Sequence, residues 1–341
     1  MSGPVDPERR LAPVLRLAPA KVNLTLAVVG TRPDGYHALH SVMVPLDLAD
    51  RLSVATLPPG AADTLHVRGF DPGPVSGNLV LRAIEAARRA AHPAWGRREP
   101  PPALAARLEK RIPVAAGLAG GSSDAAAAVD AALEAWDVTL DPAARLALAA
   151  SLGSDVPFFL AGGPALVEGR GERITPLPWL RDADAAGDRP GLLLVTPAVA
   201  LSTPAAFAAF DAGARVEGGT ARLASEHLAG ELRTGLRVVD LLARASVLAS
   251  GNDLAPAAAA IEPALVPFKR ALLRLLARPV GLSGSGPTHW ALYPSLAEAS
   301  AAADRLREAI AAGTLPTPGD RAPFVAAVRI LATTHDPRRD A

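Results

Sequence analysis

The run Pro113-Val114-Ala115-Ala116-Gly117-Leu118-Ala119-Gly120-Gly121-Ser122-Ser123-Asp124 is the part of this chain best suited to chemistry. Its small residues leave backbone N–H groups open to an anion, because glycine puts no side chain in the way. Ala125 to Ala128 follow at once and favour a helix. Ser122, Ser123 or Asp124 could cap that helix. Free amides and a helix dipole both favour negative charge, so the run predicts a phosphate cradle. It is not a Walker loop, since no lysine follows Gly121. It also lacks the Gly-x-Gly-x-x-Gly spacing of a dinucleotide fingerprint. The residue types alone fit an ordinary strand-to-helix turn with a serine cap equally well.

Four further groups could join it. Lys21 sits in the uncharged, strand-like run Leu17 to Leu26. Lysine and arginine total 35, yet only Lys21, Lys110 and Lys269 are lysine. A lysine kept in so arginine-biased a chain points to a need for an ammonium. Lys110 and Lys269 each precede an arginine, as solvated positions do. The bland reading of Lys21 is a cation on an edge strand. Asp34-Gly35-Tyr36-His37 offers a ring and an imidazole in a turn, or a routine surface aromatic. Asp155, in Gly153-Ser154-Asp155-Val156-Pro157-Phe158-Phe159, is an acid in apolar surroundings, or a helix cap. Gly281 to Thr288 is a second small-residue loop, or a simple hairpin turn.

Composition narrows the classes. A chain of 341 residues, half of them hydrophobic, can form one large domain or two ordinary ones. The formal net charge of +1 gives no argument for nucleic acid or a membrane surface. Absence of cysteine excludes disulfides, thiolate catalysis and Cys-ligated metals, and fits a reducing interior. Met1 to Ala12 lacks the apolar core of a signal peptide, and no apolar run is long enough to span a bilayer. The expectation is a cytoplasmic protein, monomeric or weakly dimeric, with a small-molecule substrate.

The elements that must position these groups follow from pattern. Val14 to Val29 reads as one strand, or two joined by a bend at Pro19, and Leu39 to Leu57 as more strand. Asn78 to Ala91 reads as a helix, and Leu104 to Ile112 as a strand feeding the glycine-rich run. Helices follow over Ser123 to Trp136 and Asp141 to Leu152, and Asp155 to Leu160 is ambiguous. Leu166 to Ile174 reads as a hairpin. Arg181 to Pro190 is charged and loop-like, and marks the boundary between halves. Leu192 to Val195 is a buried strand, after which helices dominate to about Ala277. The end reads strand, glycine turn, strand, helix (Leu296 to Ala311) and strand from Phe324. Strands and helices mix without a βαβ rhythm, which predicts an α+β fold.

Six segments in this order resemble the GHMP kinases, the galactose, homoserine, mevalonate and phosphomevalonate kinase superfamily. They are Ala18 to Leu24, Arg32 to His37, Ile112 to Ala126, Leu152 to Phe159, Ser250 to Leu254 and Gly281 to Gly286. Arg32 to His37 is the most specific, marking one branch. Ala115, Ala116 and Ala119 depart from the family, which more often has glycine there. Alanine resists positive φ, so either the loop is reshaped or those positions have ordinary φ.

The resemblance implies a two-domain fold with a cleft between: an N-terminal domain like domain 2 of ribosomal protein S5 over 13–180, and an α/β C-terminal domain over 191–333. It implies ATP as phosphoryl donor, with Mg2+, and the methylerythritol part of a cytidine-diphosphate-linked alcohol as acceptor. Pro113, Val114, Ala115, Ala116, Gly117, Leu118, Ala119, Gly120, Gly121, Ser122 and Ser123 would hold the phosphates. Asp155 would take or orient the hydroxyl proton, and Lys21 would stabilise developing charge. Tyr36 would stack on cytosine, His37 would bond its edge, and Phe207 would supply a second ring. Asn23, Ser283, Gly284 and Ser285 would lie at the acceptor side. No protein ligand of the metal is assigned. A kinase for another small alcohol, such as homoserine or a mevalonate derivative, and a non-catalytic nucleotide sensor are the rival readings.

Overall fold

The computed structural model describes residues 12–96, 99–182, 190–213 and 219–333. The predicted boundary at 181–190 therefore lies mostly outside the described residues. Strands β1 (Val14–Asn23), β2 (Ala27–Thr31), β3 (His37–Thr56) and β4 (Thr64–Gly69) come first. Helix α1 (Leu79–Trp95), strand β5 (Leu104–Lys110) and helices α2 (Gly120–Ala135), α3 (Pro142–Leu152) and α4 (Val156–Leu160) follow. The hairpin β6 (Ala165–Gly169) and β7 (Arg173–Pro176) completes a seven-stranded sheet.

The twenty-residue β3 is the spine of that sheet. β1 and β2 pair along one of its edges, β5 and β6 along the other. Only β4 and β5 run parallel. The bend expected at Pro19 is a register shift between Pro19 and Lys21, and the chain breaks between strands after Asn23 instead. Consecutive β3 residues serve two cores, as period-two side chains must. Met43 packs with α1 and α2, whereas Val42 and Val44 face the opposite core.

The second half begins at β8 (Gly191–Thr196), then α5 (Thr203–Asp211), α6 (Thr220–Thr234), α7 (Val238–Ala243), α8 (Ala245–Ser250), α9 (Ala255–Ile261) and α10 (Leu265–Leu276). It ends with β9 (Gly281–Leu282), β10 (His289–Tyr293), α11 (Leu296–Ala311) and β11 (Phe324–Arg329). Its four strands form an antiparallel sheet in the order β11-β8-β10-β9. Leu193, Val195, Ala291 and Tyr293 face α10 and α11. Leu192, Leu194, Trp290 and Leu292 face inward, in one cluster with Ala20, Val22, Val42 and Val44 of the first sheet.

Helix starts follow the expected chemistry at two of three places. Asn78 caps α1 through its side chain, and Asp141 caps α3 with Pro142 at the first turn. α2 does not follow it. It begins at Gly120, capped by Ala119 in the left-handed conformation with no side-chain bond. Ser122, Ser123 and Asp124 thus lie inside the helix and cap nothing. The glycine-rich run already winds into the first turn, so the caps sit one turn too late.

Candidate active site

A cavity of about 840 Å³ opens between the two halves. The glycine-rich loop forms one wall, held from both sides. From β1, the Lys21 N–H donates to the Leu118 carbonyl at 3.1 Å. From the turn before β10, the Ser283 hydroxyl donates to the Gly117 carbonyl at 2.9 Å, and the Thr288 N–H to Ala116 at 3.3 Å. That contact is so close that a Cβ on Gly117 would lie 2.3 Å from the Ser283 carbonyl oxygen. Asn252 locks the turn by donating to the carbonyls of Leu282 and Gly284, both at 2.9 Å.

Two of the three departing alanines take the conformation glycine would favour. Ala115 has φ +53° and Ala119 φ +55°, whereas Ala116 does not have positive φ. The loop keeps its left-handed turns and carries the methyl groups in strained positions.

Pro113, Val114, Ala115, Ala116, Gly117, Ala119, Gly120, Gly121 and Ser122 line the cavity, as do Lys21, Asn23, Tyr36, His37, Asp155, Phe207, Gly284 and Ser285. Leu118 and Ser123 do not line it: Leu118 packs in the shared core, and the Ser123 hydroxyl is buried without a bonding partner among the described residues. Ser283 is also absent from the wall. It is fully buried, its hydroxyl tethering Gly117 and lying 3.4 Å from the Asn23 N–H, so it sits behind the wall rather than in it.

Lys21 and Asp155 meet across the cavity floor, Nζ to Oδ2 at 3.7 Å. The ammonium also donates to Asn23 Oδ1 at 2.7 Å and to the Gly117 carbonyl at 3.3 Å. Asn23 in turn donates to the Ser41 hydroxyl at 2.8 Å, so the amide is oriented for Lys21. Asp155 precedes α4 but makes no capping bond, leaving its carboxylate directed at Lys21 and solvent.

The far end of the cavity is aromatic. Tyr36 is exposed, with the Arg170 guanidinium 5.5 Å from its ring centroid. His37 Nε2 lies 2.9 Å from Asp211 Oδ1. Its ring stacks on Phe207 at 4.6 Å and 16°. The second aromatic ring expected for a base thus rests against His37.

Lys110 reverses its expected solvated position. It is buried behind the loop, bonded to Asp50 and to Asp124, the latter at 2.7 Å. Asp50 also accepts from the Ile112 N–H at 2.8 Å and from the Arg111 N–H. Among the described residues Asp124 Oδ1 has no partner. Burial pushes the Asp124 carboxyl up, against the pull of Lys110, and the second carboxylate of Asp50 adds to the rise. Burial depresses Lys110, but its two acid partners outweigh that and hold its pKa above the ordinary range. The alternation of β5 places Lys110 on the inward face with Leu104, Ala106 and Leu108. Lys110, Asp124, Arg170 and Asp211 all line the cavity without having been singled out for it, and for Arg170 and Asp211 the sequence carries no signal.

Among the described residues no group of three His, Cys, Asp or Glu could hold a metal ion, and no helix is long and apolar enough to cross a membrane.

The GHMP kinases N terminal domain matches residues 78–163, and the GHMP kinases C terminal domain matches 232–312. A 4-diphosphocytidyl-2-C-methyl-D-erythritol kinase of Pelotomaculum thermopropionicum is 39% identical over 297 residues, covering 86% of this chain and 94% of the relative. One of Nocardia farcinica is 40% identical over 315 residues, covering 91% and 96%. A crystal structure of 4-(cytidine 5'-diphospho)-2C-methyl-D-erythritol kinase superposes with a TM-score of 0.65 at 31% identity, covering 93% of this chain and 99% of that one. Homoserine kinase from Cytophaga hutchinsonii shares the fold, with a TM-score of 0.64 at 18% identity and coverage of 97% and 99%. The chain belongs to the GHMP kinases, and within them to the family of 4-diphosphocytidyl-2-C-methyl-D-erythritol kinases.

Proposed function

We infer that this chain is an ATP-dependent kinase that phosphorylates the 2-hydroxyl of 4-diphosphocytidyl-2-C-methyl-D-erythritol, in the non-mevalonate route to isopentenyl diphosphate. One observation supports the mechanism above others. The Lys21–Asp155 pair lies on the same cavity as an N-terminal helix loop and an aromatic end. A kinase for homoserine or a mevalonate derivative would not need the Tyr36-His37 end. The division into 13–180 and 191–333 puts the phosphate loop, Lys21 and Asp155 on the first half, and Phe207, Gly284 and Ser285 on the second.

The acceptor is a tertiary alcohol, crowded and weakly acidic. Asp155 accepts or orients its proton as the oxygen attacks. Lys21, held by Asn23, stabilises charge on the attacking oxygen and the γ-phosphoryl group. Cavity-lining amides of the loop, between Val114 and Gly117 and between Ala119 and Ser122, with the dipole of α2, hold the ATP phosphates. Positioning supplies most of the remaining acceleration, as effective molarities worth roughly 7–11 kcal/mol allow. A magnesium ion bound with the nucleotide would supply neutralisation of the phosphate charge. Among the described residues no cluster of three acidic or histidine side chains would hold it, and no protein ligand is assigned. We place the protein in the cytoplasm.

Incubation with Mg-ATP and a panel of alcohols should release ADP with the cytidylated methylerythritol. Turnover of homoserine or phosphomevalonate in its place would overturn the assignment.

Tyr36→Ala tests the aromatic end. Base–aromatic stacking worth roughly 1–3 kcal/mol corresponds to a rise of roughly 5- to 150-fold in KM for the cytidylated alcohol. KM for ATP should stay as it is. A loss confined to ATP would put Tyr36 in the wrong subsite.

A further inference from the structure

The middle of the phosphate loop is tied by Lys21, Ser283 and Thr288, and its two ends are tied by charge. At the entry, Asp50 of β3 accepts through Oδ1 from the Arg111 N–H and, at 2.8 Å, from the Ile112 N–H. Through Oδ2 it accepts from the Lys110 ammonium. Lys110 donates in turn to Asp124 Oδ2, at 2.7 Å, near the start of α2. A Cβ on Gly120, the first residue of that helix, would lie 3.1 Å from the ammonium nitrogen and 3.0 Å from Ile112 Cγ2. The three charged groups are all buried. They span the loop from Ile112 to Gly120 and join β3, β5 and α2.

Burying three charges is costly, and an apolar trio of similar volume often packs as well or better. An apolar trio lacks direction, however. It cannot hold two amides and a helix start at a fixed separation. This loop needs such a hold, because Ala115 and Ala119 lie between the ties with φ of +53° and +55°. Alanines in the left-handed region persist only where their surroundings fix them. Freed at one end, the loop would relax towards ordinary φ and turn its amides away from a bound phosphate.

We propose that Asp50, Lys110 and Asp124 are positioning residues for the nucleotide, holding the ends of the loop at the separation that aims its amides at the ATP phosphates. This rests on the reading of the loop as the phosphate cradle. The three act through the loop and not by contact with the reacting atoms.

Asp124 is the member whose removal tests the idea. Its loss leaves Lys110 paired with Asp50, whereas loss of Lys110 would leave two buried carboxylates together. Asp124→Leu should therefore fold. Calorimetry should show ATP bound roughly tenfold to a hundredfold more weakly, the scale of a small misplacement of positioned groups, and KM for ATP should rise with it. KM for the cytidylated alcohol should stay as it is. Asp124→Asn keeps an oxygen that can accept from Lys110 and should lose less. Asp124→Ala, which leaves space in place of bulk, repeats the test if leucine does not fit. Without nucleotide, hydrogen exchange should quicken across 113–119 and not in β8. If ATP binds the leucine and alanine variants as it binds wild type, the three charges only fill the core and the proposal fails. It fails also if the two KM values rise in proportion, the mark of general loosening. If wild type itself does not bind ATP, the reading of the loop has failed and takes the proposal with it.

Discussion

Asp155→Asn is expected to lower kcat by about 10²–10⁴-fold, the usual scale of a general base, with ATP still bound. The amide keeps the shape of the carboxylate and loses its charge and basicity. The structure makes this a clean substitution. Asp155 makes no capping bond to α4, and its carboxylate is partly exposed, so the fold does not depend on it. Among the described residues its ion-pair partner is Lys21 alone, at 3.7 Å. Single-turnover measurement separates the chemical step from nucleotide binding. A variant that keeps most of its kcat would leave Asp155 as a surface acid and move the base elsewhere.

Lys21→Arg should be nearly as damaging as Lys21→Ala, although it preserves charge. The ammonium sits in a closed niche, its side chain only 4% exposed. Its neighbours are Asn23 Oδ1, the Gly117 carbonyl and Asp155, three acceptors around one nitrogen. A guanidinium is wider and directs its donors in one plane. It would push on Gly117, and with it on the phosphate loop, or on Asp155. Small displacements of reacting groups can cost about 10²-fold in rate. A near-wild-type kcat for Lys21→Arg would mean that Lys21 gives only diffuse positive charge.

The scarcity of lysine in this chain has a structural counterpart. Lys110 was expected to be solvated because Arg111 follows it, yet it is buried between two carboxylates. Strand alternation carried the right signal, since Lys110 continues the inward series Leu104, Ala106, Leu108. A compact ammonium suits a niche shared by Asp50 and Asp124. Lys269 is half-buried, and burial lowers its pKa. Rare lysine thus marks enclosure in this chain, whether or not the site is catalytic.

Local signals placed the loop, the acid and the aromatic turn, because glycine content and sequence order survive without tertiary information. What escaped depends on contacts between distant segments. Ser283 looked like a ligand group because it lies in a small-residue loop, but its hydroxyl reaches back across 166 positions to Gly117. Arg170 looked like one residue of a hairpin, and only the packing of Gly171 on Ser154 brings it into the cavity. The helix start was misplaced for a local reason. Ala119 takes a left-handed turn that its side chain does not advertise.

The inward faces of the two sheets share one apolar cluster. Ala20, Val22 and Val44 lie in it with Leu192, Leu194, Trp290 and Val328. Backbone ties run alongside, from the Leu331 N–H to Pro45 and from the Leu26 N–H to Gly251. Lobes joined in this way cannot swing apart as rigid bodies without exposing that cluster to water, at a cost set by its apolar area. Opening of the whole cleft by separation of the two lobes is therefore disfavoured by that shared cluster. The same joint makes loss of the native state a concerted event across both halves, and a nucleotide held between them protects the whole chain at once.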